Sequence, residues 1–291
     1  MTNSLYSQIP EPYRRDVRRL VETALAEDIG SGDITTRWTS LPDQEVSAKI
    51  FAKENGVIAG LALARIVFKL LDSGVVFLPS FKDGQPVKSG AEIAVIHGSA
   101  RALMGGERVA LNFMQRMSGI ASQTARLSAL IAHTPCKILD TRKTIPGMRT
   151  LDKWSVTIGG GTNHRFGLYD MVLIKENHIS LAGGLKQAVE SVLRHRPPGI
   201  KIEVEVQNMK ELAQALEYPL DRILLDNMSL ADIREACKRT AGKIPLEASG
   251  NVTASSIVDL AETGVDYISI GGLTHSVRAL DLSLLIETTT N

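Results

Sequence analysis

The strongest constraint on the fold is a rhythm of short apolar segments that begins at Lys137. The segments read KILD, MVLIK, IEVEV, RILLD, IPLEAS and DYISIGG, and each one carries a polar or glycine residue at or next to its end. Amphipathic helical stretches such as LKQAVESVLRHR and SLADIREACKRTA lie between most of them. Strands and helices that alternate at roughly 20 to 35 residues are typical of a parallel β/α fold. Six visible segments predict an α/β fold with an incomplete (β/α) barrel of six or seven parallel strands, and a doubly wound sheet is the alternative.

The residues before this rhythm predict a smaller N-terminal α+β domain. Apolar residues at helical spacing precede Gly30, and strand-like pieces with turns at Asn55-Gly56 and Asp83-Gly84 follow. A long apolar helix is predicted over residues 101–132. The expected divisions are residues 1–112 (N-terminal domain), 113–274 (barrel-like catalytic domain) and 275–291 (a C-terminal helix that packs back on the N-terminal domain).

Composition narrows the class of protein. The chain has 33 Lys and Arg against 32 Asp and Glu, and this net charge of +1 argues against a nucleic-acid binder that relies on bulk charge. No apolar run reaches the length needed to span a bilayer. The two cysteines, Cys136 and Cys237, have no partners at metal-ligand spacing, so we expect neither a disulfide framework nor a zinc site. A reducing, cytoplasmic location is the expectation.

Basic residues are concentrated between Asp140 and His178. They are Arg142, Lys143, Arg149, Lys153, Arg165 and Lys175, together with His164 and His178. A run of charged residues of this kind most often lies on a solvent-exposed face of a protein. Residues 144–163, which lie within the run, are interpreted as a loop. The position of the cluster relative to the strands is what favours a binding role.

In a parallel β/α barrel the active site lies at the carboxyl ends of the strands. The residues at those ends are Asp140, Thr141, Arg142, Lys143, Lys175, Glu205, Asp226, Ser249, Gly250, Asn251, Gly271 and Gly272. Strand alternation places Glu203 and Glu205 on one face, and Leu224 and Asp226 on one face of the next strand. Charged groups from separate strands are therefore expected to meet at one mouth.

Residue type suggests the role of each group. Arginine suits two-pronged recognition of carboxylate or phosphate, so Arg142, Lys143, His164, Arg165 and Lys175 are predicted to bind a polyanion. Carboxylates are ligands for a hard divalent cation, which makes Glu205 and Asp226 a predicted Mg2+ site. Glycines at the last two strand ends suit backbone amides that hold a phosphate.

Each of these interpretations has a structural alternative. Glu203 and Glu205 could pair with lysines inside the barrel, and Gly271-Gly272 could be only a tight turn between strand and helix. The triple glycine at residues 159–161 is more simply a flexible loop. These alternatives account less well for polar residues at all six strand ends together.

At these residues the chain resembles the quinolinate phosphoribosyltransferase family, also called nicotinate-nucleotide pyrophosphorylase (carboxylating). The resemblance covers nearly the whole chain. Its motifs are AEDIGSGDITT, ERVALNFMQRMSGIAS, DTRKTIPGMR, GGGTNHRFGLYDMVLIKENHI, EVEV, LLDN, EASGN and GVDYISIGGLTHS. The pair DTRKTIPG and NHR…LIKENH is highly specific.

The resemblance implies a role for each site residue. Arg142, His164, Arg165 and Lys175 would hold the two carboxylates of quinolinate. Lys143 and Lys175 would lie near phosphoribosyl pyrophosphate, with Glu205 and Asp226 on its ribose and magnesium. Thr141 lies beside them, and Ser249, Gly250, Asn251, Gly271 and Gly272 would receive phosphate. Arg108 would reach the site from a neighbouring subunit, which implies a homodimer or a higher oligomer.

The expected function is the conversion of quinolinate and phosphoribosyl pyrophosphate to nicotinate mononucleotide, pyrophosphate and CO2, a step of NAD biosynthesis. Lys143, Lys175, Glu205 and Asp226 are the predicted catalytic residues, and Mg2+ is the expected cofactor. The alternatives are a related phosphoribosyltransferase for another carboxylated heterocycle, a silent phosphosugar-binding homologue, and a decarboxylase that acts on a preformed nucleotide.

Overall fold

The computed structural model describes residues 5–39 and 44–287. The chain divides into two compact units. The first unit consists of residues 1–125, 144–160 and 274–291, and the second consists of residues 126–143 and 161–273. The predicted domain boundary at residues 112/113 therefore falls inside the first unit, on a helix that spans Ala100–Leu130.

The first unit combines helices with an antiparallel sheet. Its helices are α1 (Glu11–Ile29), α2 (Ile34–Thr39), α3 (Leu61–Leu71), the first part of α4 (Ala100–Leu130) and α5 (Arg149–Ile158). Its strands are β1 (Glu45–Ala52), β2 (Gly56–Val57), β3 (Val76–Pro79), β4 (Pro86–Val87), β5 (Glu92–Ser99) and β12 (Leu282–Glu287). Four strands form a sheet in the order β12-β1-β5-β3, and β2 pairs with β4. This is the predicted smaller α+β domain.

The C-terminal segment corrects one prediction. Residues 275–291 were expected to form a helix, but Leu282–Glu287 form strand β12, which pairs antiparallel with β1. Residues 288–291 lie outside the described part of the chain. The run LSLLIE alternates in burial, with Leu282 and Leu284 buried and Leu285 exposed, as expected of a sheet strand. Hydrogen bonding to β1 therefore outweighs the helical preference of leucine.

Helix α5 corrects a second prediction, because it lies in the segment interpreted as a loop. Its Asp152 and Lys153 are fully buried, which hid the amphipathic pattern from sequence analysis. Both carboxylate oxygens of Asp152 accept hydrogen bonds from Arg116 of α4, each at 2.8 Å. Lys153 therefore does not belong to an exposed basic face.

The second unit contains the predicted parallel sheet. Its strands are β6 (Lys137–Leu139), β7 (Met171–Ile174), β8 (Lys201–Val206), β9 (Arg222–Asp226), β10 (Leu246–Ser249) and β11 (Tyr267–Ser269). They are connected through α6 (Glu176–Ala182), α7 (Leu185–His195), α8 (Met209–Ala215), α9 (Leu230–Thr240) and α10 (Ile257–Ala261), and α11 (Gly272–His275) follows β11.

The strand order β6-β11-β10-β9-β8-β7 makes an open sheet, and every pairing within it is parallel. Thr162 adds a single parallel bridge to Leu139 on the outer edge of β6. This is the incomplete barrel predicted from the sequence, and the six apolar segments are its six strands. All the strand ends that were predicted to bear chemistry lie at the same end of this sheet.

Candidate active site

Strand register places the acidic residues of the second unit on one face. Glu205 of β8 is in register with Leu224 of β9, and Asp226 is in register with Ser249 of β10. Neighbours in register point to the same side of a sheet, as do residues two apart on a strand. Glu205, Asp226 and Ser249 therefore share one face at the carboxyl ends of three adjacent strands.

Lys175 completes this row from the end of β7. Its Nζ atom lies 2.6 Å from Oε2 of Glu205, in an ion pair whose lysine is half exposed and whose carboxylate is 10% exposed. The backbone of Lys175 is also fixed, because its N–H donates to Nδ1 of His178 at 3.0 Å. His178 thus has a structural role, because it holds the backbone of Lys175 in place.

Two arginines lie close together in the same unit. The pKa of Arg165 is lowered, first by burial and then by the neighbouring charge of Arg142. The guanidinium of Arg165 donates to the main-chain oxygen of Met171 at 3.1 Å. Nε of Arg142 is buried and has no hydrogen-bond partner within residues 5–39 and 44–287. Partly buried cations that repel one another, one of them with an unused donor, favour an anion between them.

The loop after β10 has an unusual backbone. Gly250 has φ +111° and Asn251 has φ +47°, and a Cβ atom at Gly250 would collide with the Asn227 side chain. Asn227 itself has φ +52°, and its side-chain amide donates to Asp226 Oδ2 at 2.9 Å. Only glycine combines this φ with this close approach. The backbone of residues 249–251 is thereby held beside Asp226.

A buried cluster lies next to these groups, and the sequence analysis assigned most of it no role. His164 Nε2 lies 3.0 Å from Glu203 Oε2 and 3.4 Å from Glu247 Oε2. Arg222 pairs with Glu247 at 2.8 Å and lies over the ring of Tyr267, 4.3 Å from its centroid. Glu247 is two residues before Ser249 on β10, so strand alternation was the signal that could have found it.

The pKa values of both glutamates in this cluster are raised. Burial, followed by the charge of Glu203, raises the pKa of Glu247 to about 7. Burial also raises the pKa of Glu203, whose oxygens have no aligned hydrogen-bond partner among the described residues. Donor atoms of His164, Glu203 and Glu247 lie within 4.8 Å of one another, an arrangement that could hold a metal ion. Because Arg222 already supplies a cation to Glu247, we interpret the group as a proton-sharing cluster.

The other predicted residues are distributed as follows. Thr141, Arg142 and Lys143 follow β6, and the Thr141 hydroxyl accepts a hydrogen bond from the Lys143 N–H at 3.1 Å. Gly271 and Gly272 follow β11. Arg108 belongs to the first unit, on α4, where its side chain is 59% exposed and lies 3.8 Å from Glu107. The functional roles of these residues stay predictions.

Comparison with known proteins agrees with this arrangement. Residues 33–118 match the N-terminal domain of quinolinate phosphoribosyl transferase, and residues 120–285 match its C-terminal domain. The chain belongs to the quinolinate phosphoribosyltransferase family.

No helix of the described residues is both long and apolar enough to cross a membrane.

Relatives within the quinolinate phosphoribosyltransferase family match over most of their length. The tobacco (Nicotiana tabacum) quinolinate phosphoribosyltransferase (decarboxylating) 1b is 45% identical over 94% of this chain and 83% of its own. A probable nicotinate-nucleotide pyrophosphorylase (carboxylating) of Bacillus subtilis strain 168 is 42% identical over 92% of each chain. The solved nicotinate-nucleotide pyrophosphorylase of Francisella tularensis is 41% identical, with a TM-score of 0.90 over 97% of this chain and 99% of that one.

Proposed function

We propose that this protein is a phosphoribosyltransferase that converts quinolinate and phosphoribosyl pyrophosphate to nicotinate mononucleotide, pyrophosphate and CO2. This reaction is a step of NAD biosynthesis. The observation that carries the proposal is the row of side chains at the open end of the sheet. There the ion pair of Lys175 and Glu205 lies on the same face as Asp226, in the same unit as Arg142 and Arg165.

The cationic side suits quinolinate, which carries two adjacent carboxylates on a pyridine ring. Arg142 and Arg165 repel one another when the site has no anion, because their guanidinium groups are neighbours and partly buried. A dicarboxylate removes that repulsion and supplies an acceptor for Nε of Arg142. Nicotinate has one carboxylate fewer, so it would leave part of the cationic group without an anionic partner. Such a mismatch weakens binding in a buried site.

The acidic side suits a magnesium-bound sugar phosphate. Glu205 and Asp226 offer the oxygen ligands that Mg2+ prefers, and neither carboxylate is fully buried. When bound, Mg2+ would neutralise charge on the pyrophosphate leaving group. Ser249, Gly250 and Asn251 are positioned beside Asp226 to receive phosphate, as we also propose for Gly271 and Gly272. Thr141 and Lys143 would approach the same substrate from the end of β6.

The chemistry would proceed by displacement and then decarboxylation. The pyridine nitrogen forms a bond to C1 of the ribose as the bond from C1 to pyrophosphate oxygen breaks. The bond to the 2-carboxylate then breaks, CO2 leaves, and the electron pair stays at the ring carbon, where the positive ring nitrogen stabilises it until a proton is taken up. Fixed charges aimed at developing charge are the main source of rate. Lys143 and Lys175 supply those charges here.

The test is product analysis after incubation with quinolinate, phosphoribosyl pyrophosphate and magnesium chloride. We expect nicotinate mononucleotide and CO2 in equal amounts, and the Glu205→Ala/Asp226→Ala double variant should lose turnover while it keeps its fold. The control replaces two exposed acids away from the strand ends, Glu217→Ala/Asp259→Ala, and should remain active. Turnover that persists in the first double variant would sink the assignment.

Parallel assays address the competing functions. Turnover of nicotinate in preference to quinolinate would indicate a phosphoribosyltransferase for another heterocycle. Binding of both substrates without product would indicate a silent homologue. CO2 release from a preformed nucleotide without phosphoribosyl pyrophosphate would indicate a decarboxylase.

We further propose that the active enzyme is a homodimer, or a higher oligomer, in which Arg108 serves the partner's site. Support comes from the exposure of Arg108 on α4 of the first unit. Mixing inactive Arg108→Ala with inactive Glu205→Ala protein should restore activity, because a mixed dimer holds one site with both residues intact. No recovery after subunit exchange would contradict the shared site.

The proposed location is the cytoplasm. Its support is the pair of unbridged cysteines, Cys136 and Cys237, which a reducing compartment keeps as thiols. The Arabidopsis thaliana relative, 44% identical, carries the name nicotinate-nucleotide pyrophosphorylase (carboxylating), chloroplastic, so the family also serves organelles. Imaging of the tagged full chain in its host cell would decide the location.

A further inference from the structure

We propose that His164 is a positioning residue that fixes Arg165 in the site, and that the imidazole itself does not contact quinolinate. This inference rests on the proposed function, because it assigns a role within quinolinate binding. It differs from the direct grip on a carboxylate that the sequence resemblance implied for His164.

The first argument is the hydrogen bond at Nδ1. The main-chain N–H of Arg165 donates to Nδ1 of His164 at 2.7 Å. A backbone N–H can only donate, so Nδ1 must be the nitrogen that lacks a proton. The ring is therefore neutral, with its single proton on Nε2. A neutral ring with an occupied Nδ1 has only one nitrogen left with which to bind a carboxylate.

The second argument is what Nε2 faces. Oxygens of Glu203 and Glu247 lie 3.0 Å and 3.4 Å from it, and both glutamates are fully buried. A substrate carboxylate that reached Nε2 would have to lie against these two acidic side chains. The repulsion between like charges in a buried place makes that approach unfavourable. The side chain of His164 is also only 7% exposed.

The backbone of His164 is anchored as firmly as its ring. Its N–H donates to Oδ1 of Asp140 at 2.9 Å, and Asp140 is itself fully buried at the end of β6. The N–H of Asp140 donates in turn to the carbonyl of Thr162 at 3.2 Å. The segment that carries His164 is therefore tied to the sheet edge through Thr162 and through the main-chain N–H of His164 itself.

These contacts determine where Arg165 lies. Its main-chain N–H is held by the imidazole, and its guanidinium is held by the carbonyl oxygen of Met171 at 3.1 Å. Both ends of the arginine are thus fixed before any ligand arrives. Burial and then the charge of Arg142 lower the pKa of Arg165, and the repulsion between the two guanidinium groups would move them apart without such restraint. Holding them together in advance lowers the cost of binding a dicarboxylate.

The test uses two substitutions, each of which keeps the hydrogen-bonding capacity of one imidazole nitrogen. In His164→Asn the side-chain oxygen takes the place of Nδ1 and can still accept from the Arg165 N–H. In His164→Gln the side-chain nitrogen takes the place of Nε2 and can still donate, but the acceptor for Arg165 is lost. The quinolinate dissociation constant of the full chain is measured by calorimetry for both variants.

The two accounts predict opposite orders. If His164 positions Arg165, His164→Asn should bind quinolinate within about three-fold of the unsubstituted protein, and His164→Gln should bind about ten-fold more weakly, since a partly buried N–H loses its partner. Direct contact through Nε2 predicts the reverse order. The reverse order, or equal affinity in the two variants, overturns the proposal. If His164→Gln fails to fold, strongly weakened binding by His164→Asn alone overturns it.

A double-mutant cycle gives a second readout. In an Arg165→Ala background the positioning account predicts that His164→Gln has no further effect on quinolinate affinity, because the residue through which it acts is gone. Additive effects would overturn the inference. His195→Asn and His195→Gln, at an exposed histidine on α7, are the matched controls and should leave affinity unchanged. Absence of quinolinate binding by the unsubstituted protein would instead count against the proposed function.

Discussion

Lys175 and Glu205 lie 30 positions apart in the sequence, yet Nζ of the lysine is 2.6 Å from Oε2 of the glutamate. The lysine directly follows β7, and the glutamate lies near the end of β8, the neighbouring strand of the sheet. The two predicted substrate-binding groups are thus paired with one another before a ligand arrives. A magnesium-bound sugar phosphate would take over both partners, the phosphate at the lysine and the cation at the glutamate.

Removal of the Lys175 amine should lower the catalytic efficiency strongly. We expect Lys175→Ala to lower kcat/KM by about 10²- to 10³-fold, the usual effect of losing one fixed charge in a site. Steady-state kinetics with both substrates measures this. The control is Lys186→Ala, whose exposed side chain lies 3.9 Å from Glu190 on α7 and which should keep full activity. Comparable losses in both variants would mean that general charge, and not the site, is responsible.

The backbone after β10 offers a second prediction. We expect Gly250→Ala to raise KM for phosphoribosyl pyrophosphate, because the residue has φ +111° and its new Cβ would displace Asn227 next to Asp226. Gly242→Ala is the matched control, since Gly242 has φ +73° with no neighbour within 4 Å of an added Cβ.

Gly242→Ala should lose about 1–2 kcal/mol of stability from left-handed backbone strain, and Gly250→Ala should lose more, because its added Cβ also meets Asn227. Chemical denaturation measures these losses, and initial rates measure the KM. Unchanged KM in Gly250→Ala would exclude a phosphate role for this loop.

The buried ion pair of α4 and α5 should dominate the stability of its region. Asp152 is fully buried and receives two hydrogen bonds from Arg116, so Asp152→Ala leaves a largely buried arginine without its carboxylate partner. We expect a loss of about 3–5 kcal/mol in the free energy of unfolding. Glu22→Ala breaks the exposed pair with Arg18 and should cost less than about 1 kcal/mol. Urea unfolding of the two variants compares them directly.

Glu247 should make stability depend on pH. Its pKa rises from 4.5 to about 7 on folding, chiefly through burial. Between those values the folded state binds more protons than the unfolded state, so this contribution is present in full below pH 4.5 and is lost as pH rises to about 7. This loss amounts to about 3 kcal/mol in the free energy of unfolding.

Glu247→Gln should flatten that slope, whatever its effect on absolute stability. Denaturant unfolding between pH 5 and 8 measures the slope. Glu235→Gln is the control, because the hydrogen bond from Arg239 lowers the pKa of this exposed carboxylate. An unaltered slope in Glu247→Gln would show that another group titrates in this range.

The local sequence pattern was enough to predict many elements of this fold. The six strands of the parallel sheet, the helix before Gly30 and the long helix α4 follow from hydrophobic period and glycine position, which are properties of neighbouring residues. Alternation also placed Glu205 with Glu203 along β8, and Asp226 with Leu224 along β9, and the strand register shows that these are the same face. The family motifs agree with that placement. These features depend on interactions over a few residues, so the sequence carries them directly.

Other features depend on partners that are distant in the chain. Asp152 and Lys153 look like solvent-facing residues, and only the contact with Arg116 explains why a helix buries this acid. The segment Leu282–Glu287 became a strand because β1 offered an edge to pair with. His164 was assigned to the ligand from its residue type and from the family resemblance, and the structure places its two nitrogens against Arg165 and the acids of β8 and β10. A single sequence records which groups are available, whereas burial and long-range pairing decide which of them meet, because both depend on the whole folded chain.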